Sequence, residues 1–365
     1  MRVLHIINSL HTGGAEKLML STLPLLKEVG VDVEILLLNG EETPFLLKLR
    51  QEKGVNIMSL GGSLYNPFNI IKLIPYLKKY EIIHVHLFPA MYYVAFAKLI
   101  TRNKTTLVFT EHSTSNRRLE KAFFIPLERI VYAMYKRVVC ITDSVKKVLQ
   151  KKIDPSEDKY EVILNGVELS SIHNVIPQSR ASFGFNENEK LICMVAAFRI
   201  QKDQDTVVRS LKLLPPHYKL IFIGDGDRLP EVKELAGSLN LAHRVKFLGI
   251  RTDAYSLIKM CDVSVLSSHW EGFGLAAAES MACGIPTIAS NVDGLAQVVS
   301  NGGLLFEKGN EIDLMNKILA LEEHSYYVSI QKKCLESSKK FDVSNTVQQL
   351  QTLYSSLSNS TTGEN

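Results

Sequence analysis

"RVLHIINSLHTGGAEKLMLSTLPLLKEVGVDVEILLL", residues 2–38, changes its hydrophobic period twice. Residues 2–7 read as a short strand, 8–14 as a loop, 15–30 as an amphipathic helix closed by Gly30, and 31–38 as a second strand. The alternation continues. "EIIHVHLF" (81–88), "TTLVFT" (105–110) and "RVVCIT" (137–142) are strands, "DSVKKVLQKK" (143–152) is a helix, and "YEVILNGV" (160–167) is a closing strand. Nearly continuous apolar strands separated by helices predict a parallel sheet covered on both faces.

Periodicity lapses over residues 169–189, a polar stretch with Pro177 that suits a linker. A second series begins at "KLICMVAAF" (190–198) and runs through "YKLIFIG" (218–224), "VKFLG" (245–249), "DVSVLS" (262–267) and "PTIAS" (286–290), each followed by a helical pattern. Two α/β domains are therefore expected, 1–168 and 190–342. A C-terminal helix within "SSKKFDVSNTVQQLQTLYSSL", about 343–358, joins the first, and "SNSTTGEN" reads as a frayed tail.

Length and composition agree. At 365 residues the chain is too long for one ordinary core, and 46% apolar with 22% charged residues describes a globular protein. "MRVLHIINSLHTGG" lacks the long apolar core and small-residue cleavage site of an export signal. "LFPAMYYVAFAKLI" (87–100) is interrupted by Pro89 and Lys98, short of the roughly 20 residues that span a bilayer. Cys140, Cys193, Cys261, Cys283 and Cys334 are scattered without metal-ligand spacing, as buried thiols in a reducing cytoplasm would be. The expected location is cytoplasmic, including the inner face of the membrane.

The net charge of +4 is concentrated: residues 98–152 hold thirteen Lys/Arg against four Asp/Glu. Within them "NRRLEKAFFIPLERIVYAMYKR" (116–137) interleaves cations with aromatic and aliphatic side chains, which suits a helix lying on anionic lipid. It reads equally as a core-facing helix with a solvated basic back. No nucleic-acid-binding module accompanies the charge.

Ligands of doubly wound sheets bind beyond the carboxyl ends of the strands, so those loops carry the chemistry. Gly13 and Gly14 open the first helix, where unpaired N–H groups suit an anion, or form an ordinary tight turn. Arg199 and Lys202 stand at a helix start, where the dipole disfavours cations and a bound phosphate would resolve the conflict. Asp203/Asp205 and Asp225/Asp227 could hold a divalent cation but read better as capping and turn residues. His112 ends a strand of the first domain, and a lone histidine there is more often structural than catalytic. In "HWEGFGLAAAES" (269–280), Glu271 precedes a glycine turn and Glu279 follows three alanines. Two carboxylates beside a helix start could take sugar hydroxyls and a ribose diol, with N–H groups for phosphate between them; alternatively Glu271 caps the helix and Glu279 is solvated.

Together these residues resemble the retaining glycosyltransferases of the GT-B fold, family 4, over most of the chain and most densely from Leu191 to Phe306. Glu271 and Glu279 match that family's E-x7-E motif, Arg199 and Lys202 its diphosphate clamp, and "GGAEK" (13–17) its glycine loop. "LNGVE" (164–168) matches the approach to its interdomain linker, and His112 a histidine beside the transferred sugar. The resemblance implies two doubly wound Rossmann-like α/β domains facing a cleft. It implies Glu271 on donor-sugar hydroxyls, Glu279 on the ribose, and the backbone of Phe273, Gly274 and Leu275 on sugar and phosphates. Gly249 and Ile250 would lie near the base. Gly13 and Gly14 complete the donor set, and His112, Arg199, Lys202 and Glu271 would carry catalysis. No cofactor or metal is implied. Asp293 and Gln297 stand where the family usually has glycine and glutamate, and Trp270 is atypical.

The implied reaction moves a hexosyl unit from a nucleoside diphosphate sugar, UDP-sugar favoured, to a glycan or lipid-linked glycan, in bacterial surface polysaccharide or lipopolysaccharide synthesis. A nucleotide-sugar epimerase of the same architecture is the alternative enzyme, and a two-domain solute-binding protein the alternative without catalysis. A dehydrogenase is disfavoured because no GxGxxG is present.

Overall fold

The computed structural model describes residues 1–11, 13–52, 54–114 and 117–362, with the backbone alone for Arg117 and residues 360–362. Thr12 of the first glycine loop, Asn116 of the basic stretch and residues 363–365 of the tail lie outside the described residues. The chain forms two compact units, residues 1–166 together with the C-terminal helix, and residues 167–342.

The first unit is a parallel sheet of β1 (Arg2–Ile7), β2 (Asp32–Leu37), β3 (Asn56–Ser59), β4 (Ile82–His86), β5 (Thr106–Glu111), β6 (Arg137–Cys140) and β7 (Tyr160–Val162). Their order is β3-β2-β1-β4-β5-β6-β7. Each apolar strand is buried because a helix crosses back over it. The helix Gly14–Glu28 buries Leu18, Met19, Leu23 and Leu26. The C-terminal helix Val343–Thr362 puts Val347, Leu350, Leu353 and Leu357 into the same core. At roughly 1.5–3 kcal/mol per fully buried aliphatic side chain, those four residues are enough to fix the terminal helix to this unit. Local signals set the helix ends: the Thr142 hydroxyl accepts from Val145 N at 3.3 Å and starts the helix Asp143–Lys152.

The second unit is a parallel sheet of β8 (Lys190–Val195), β9 (Tyr218–Ile223), β10 (Val245–Phe247), β11 (Val263–Leu266), β12 (Thr287–Ser290) and β13 (Leu304–Phe306), in the order β10-β9-β8-β11-β12-β13.

Two sequence expectations change. Residues 169–189 are part of the second unit, with a short helix, Leu169–His173, and a 3-10 turn, Ala181–Phe183. Lys259 Nζ donates to the carbonyls of Ile172 at 2.7 Å and Val175 at 2.9 Å, and Arg180 pairs with Asp262 at 3.1 Å, which ties this polar stretch down. The C-terminal helix expected at about 343–358 runs over Val343–Thr362. A 3-10 turn, Lys339–Phe341, and extended Asp342 separate the helix His324–Ser338 from Val343–Thr362. Finally, residues 358–362 continue the terminal helix rather than fraying.

Candidate active site

In the second sheet the strand order reverses between β8 and β11, so the loops after these two strands diverge and leave a crevice at the sheet's carboxyl edge. Those loops carry Arg199 and Lys202 on one side and Glu271 on the other. They are stitched together. His269 N donates to the Gln201 carbonyl at 2.7 Å, and Gln201 Nε2 donates to the Trp270 carbonyl at 2.9 Å. Ser267 Oγ lies 2.9 Å and 2.7 Å from the Lys202 and Asp203 carbonyls.

That stitching aims one turn. Asp203 sits in the left-handed region at φ 51° and caps the helix Gln204–Leu213, accepting from Thr206 Oγ1 at 2.6 Å. Lys202, held just before it, brings its ammonium against Glu271 Oε2, which also accepts from Ser268 Oγ at 3.2 Å. Arg199, at the start of the same turn, is exposed, and its guanidinium makes no hydrogen bond or ion pair among the described residues.

Glu271 does not cap the following helix. The cap of Leu275–Ala282 is Gly274, at φ 90° and without a side-chain hydrogen bond, so that helix start keeps donor capacity for an anion. Glycine is required there, since a Cβ on Gly274 would stand 2.5 Å from Leu295 Cδ1. Glu279, one turn into the helix, is 4% exposed and accepts from Tyr255 Oη at 3.3 Å. Burial, then the neighbouring carboxylate, raises the Tyr255 pKa and keeps its hydroxyl a donor. Phe273 is a core side chain, so only its backbone is available to a ligand. Leu275 begins the helix, and Gly249 and Ile250 follow β10, two strands from the switch point.

The acidic pairs are engaged elsewhere. Asp205 binds Arg228 through both oxygens at 3.2 Å and 3.0 Å, and Asp225 Oδ1 accepts from Gly226 N at 2.7 Å.

In the first unit Gly13 caps the helix Gly14–Glu28 without a side-chain hydrogen bond, in extended backbone open to any residue. His112 follows β5, but it is not a lone histidine. His112 Nε2 lies 3.2 Å from His86 Nδ1, and His86 Nε2 lies 3.1 Å from His5 Nδ1. His5 Nε2 lies 3.2 Å from Tyr354 Oη, itself 2.6 Å from His84 Nδ1, and His84 Nε2 lies 2.6 Å from Thr110 Oγ1. Burial strips water from these rings and disfavours their charged forms. The His5 pKa falls to about 3 and that of His112 to about 4, while His84 and His86 lie well below the ordinary value. His5, His84 and His86 are also the one group among the described residues with three metal-capable atoms, within 4.8 Å of one another. All six of their ring nitrogens already have protein partners, so the donor set is engaged in hydrogen bonding.

Sequence reasoning missed this cluster, Tyr255 and the stitching residues Gln201, Ser267 and Ser268. A signal existed for the histidines: His84 and His86 alternate in one strand and therefore share a face. Only the strand order reveals that His5 stands beside His84.

Comparison with known proteins follows the same division. The family description "Glycosyltransferase Family 4" matches residues 12–171, and "Glycosyl transferases group 1" matches residues 175–341. An uncharacterized glycosyltransferase of Methanocaldococcus jannaschii is 31% identical over 227 residues, which is 61% of this chain and 60% of that protein. The Escherichia coli UDP-Gal:alpha-D-GlcNAc-diphosphoundecaprenol alpha-1,3-galactosyltransferase is 24% identical over 318 residues, 83% of this chain and 81% of that protein. Among solved structures, Anabaena Alr3699/HepE in complex with UDP and glucose superimposes with a TM-score of 0.86 at 22% identity, covering 98% of this chain and 100% of that one. With two parallel-sheet α/β units and both family descriptions laid end to end along it, the chain belongs to the group 1 glycosyltransferases, family 4, of the GT-B fold.

Proposed function

We propose that this protein transfers a hexosyl unit from a UDP-sugar to a glycan or lipid-linked glycan, with retention at the anomeric carbon. The observation that carries the reading is the Lys202–Glu271 pair beside the uncapped helix start at Gly274. In this reading the cation of the pair serves a diphosphate and its carboxylate serves sugar hydroxyls. Arg199 and Lys202 neutralise the departing diphosphate together with the backbone N–H groups of Gly274 and Leu275, so the leaving group needs no metal. Glu271 orients the sugar, Glu279 accepts from the ribose diol, and Gly249 and Ile250 flank the base. His112 of the first unit contacts the transferred sugar, and Gly13 and Gly14 supply backbone to the donor. The acceptor's proton passes directly to the leaving phosphate, without a protein base. UDP as the nucleotude carrier is supported by the bound UDP of the Anabaena neighbour and by the donor named for the Escherichia coli relative. That relative's name also supports a lipid-linked acceptor; a place in surface polysaccharide or lipopolysaccharide synthesis at the cytoplasmic face is part of the proposal.

The test is a panel of UDP- and GDP-sugars. A donor at a hundredfold excess over its Kd stabilises the fold by roughly 2.7 kcal/mol, a clear rise in Tm. That rise is expected for one UDP-hexose, with turnover unchanged by chelator and an α-linked product from an α-linked donor. An epimerised sugar nucleotide formed without acceptor would overturn the reading in favour of an isomerase.

Residues 98–152 would meet the membrane that holds such an acceptor. Among the described residues no helix is long and apolar enough to cross a membrane. Phe123, Leu127 and Ile130, spaced four and three apart, are instead 87%, 38% and 51% exposed, among exposed Lys121 and Arg129. Glu128, the one acidic residue of the helix Ile125–Ala133, is buried against Arg118 Nε at 2.7 Å, so exposed Glu120 is the acidic residue of 117–133 left to offset the outward charge. The protein should float with vesicles containing anionic lipid and not with neutral ones. Each exposed Lys or Arg contributes about 1 kcal/mol, so high salt should weaken binding by roughly fivefold for each cation screened, and Phe123→Asp, which replaces an apolar ring by a repelled charge, should weaken it by roughly tenfold. Indifference to lipid charge would remove the membrane contact.

A further inference from the structure

We infer that Thr110, His84, Tyr354, His5 and His86 form one directional hydrogen-bonded chain that holds His112 in the Nδ1–H tautomer, making Tyr354 a positioning residue for His112. The consequence for turnover rests on the proposed role of His112 beside the sugar; the chain itself does not.

The argument is a count of hydrogens. Five consecutive contacts of 2.6–3.2 Å link the six groups, and each needs one hydrogen. A neutral imidazole carries a single N–H, so a ring that accepts at one nitrogen must donate from the other. Charge would break this rule, but burial keeps all four rings neutral. Tyr354 Oη, between two rings, relays the same direction by accepting from one and donating to the other. The chain therefore has two complete polarities. In one, all four histidines are protonated at Nε2; in the other, all four at Nδ1.

Thr110 decides between them. Its hydroxyl is buried, and His84 Nε2 is its partner among the described residues. If His84 donated to it, the buried hydroxyl hydrogen would have no protein acceptor among the described residues, whereas an unused oxygen lone pair is cheaper. Thr110 therefore donates to His84 Nε2, His84 Nδ1–H to Tyr354, and Tyr354 to His5 Nε2. His5 Nδ1–H then donates to His86 Nε2, and His86 Nδ1–H to His112 Nε2. His112 Nδ1, which has no partner among the described residues, emerges as an N–H donor. It can hydrogen-bond a sugar oxygen but cannot accept a proton at that nitrogen, which agrees with a reaction that needs no protein base.

The tautomers can be read directly. With 15N-histidine labelling, long-range 1H–15N correlation spectra of the whole chain should show His5, His84, His86 and His112 all protonated at Nδ1, although free histidine favours Nε2–H. Tyr354→Phe removes one hydroxyl and cuts the chain, so His5, His86 and His112 should become tautomer mixtures while His84 stays as it was. Turnover should then fall roughly tenfold with donor Kd unchanged. Thr110→Val, at the far end, leaves the links uncut but removes the hydroxyl that sets their direction, so all four rings, His84 included, should become tautomer mixtures together; it serves as the test if Tyr354→Phe does not fold. Any of the four rings protonated at Nε2 in the unsubstituted protein, stoichiometric zinc retained on purification, or an unaltered His112 tautomer in Tyr354→Phe would overturn the chain. A changed tautomer with unchanged turnover would leave the chain standing and overturn its role in the reaction.

Discussion

Acidification from pH 7 to pH 5 should strip the first unit of about 2 kcal/mol of stability for each of His5 and His112, and His84 and His86 should add to the loss in the same direction. The sign follows from the direction of the shifts. All four rings have folded-state pKa values below the ordinary 6.5, at about 3 for His5 and about 4 for His112. The unfolded chain therefore binds protons that the folded chain refuses. The stability they confer is complete above pH 6.5 and is lost as pH falls toward 4, at about 1.4 kcal/mol per ring per unit. Glu111 works in the opposite sense, because burial pushes its pKa up and its protonation on acidification relieves an unfavourable charge. One carboxyl offsets only part of four rings.

Denaturant titrations at several pH values measure the loss, and the sequence separates the units. Trp270 is the single tryptophan and lies in the second unit, so its fluorescence should report a transition less sensitive to acid than the tyrosine signal of the first. A loss below about 2 kcal/mol across this range would mean that the rings are hydrated or charged in the native protein.

Lys202→Ala should lower turnover by roughly 10²- to 10³-fold, the usual cost of deleting one preorganised group that stabilises a departing anion. Arg199→Ala should do the same with less effect on folding. Its guanidinium is exposed and makes no bond among the described residues, so the change in stability should stay within about 0.5 kcal/mol. Lys202 is different because it faces Glu271, whose side chain is 13% exposed, and its loss leaves that carboxylate short of a counter-charge. A stability cost of about 1–3 kcal/mol is expected there, still smaller than the activation penalty. Steady-state kinetics and thermal melts on both variants give the comparison. Wild-type turnover in the two of them would dismiss the clamp.

The physics of the chain explains how far each feature could be read. Strand and helix periods are local, so β1, β2 and the helix between them were legible in residues 2–38. Short edge strands such as β3, Asn56–Ser59, carry too few residues for a period to register. The loop residues Arg199, Lys202, Glu271 and Glu279 were legible because each stands out against its local pattern. Their pairing was not: Lys202 and Glu271 are 69 residues apart and meet only because β8 and β11 are neighbours. His112 looked solitary for the same reason, since its partners come from β1, β4, β5 and a helix near the end of the chain. The polar stretch 169–189 gave no sign of its carbonyls that Lys259 holds.

The helix Val343–Thr362 closes a domain that was begun more than three hundred residues earlier. On the ribosome, residues 167–342 emerge as an uninterrupted stretch and can fold as synthesis proceeds, while the earlier half waits with Leu18, Met19 and Leu23 uncovered and Tyr354 still to be translated. The order in which the two units can be completed therefore runs against the order in which they are begun.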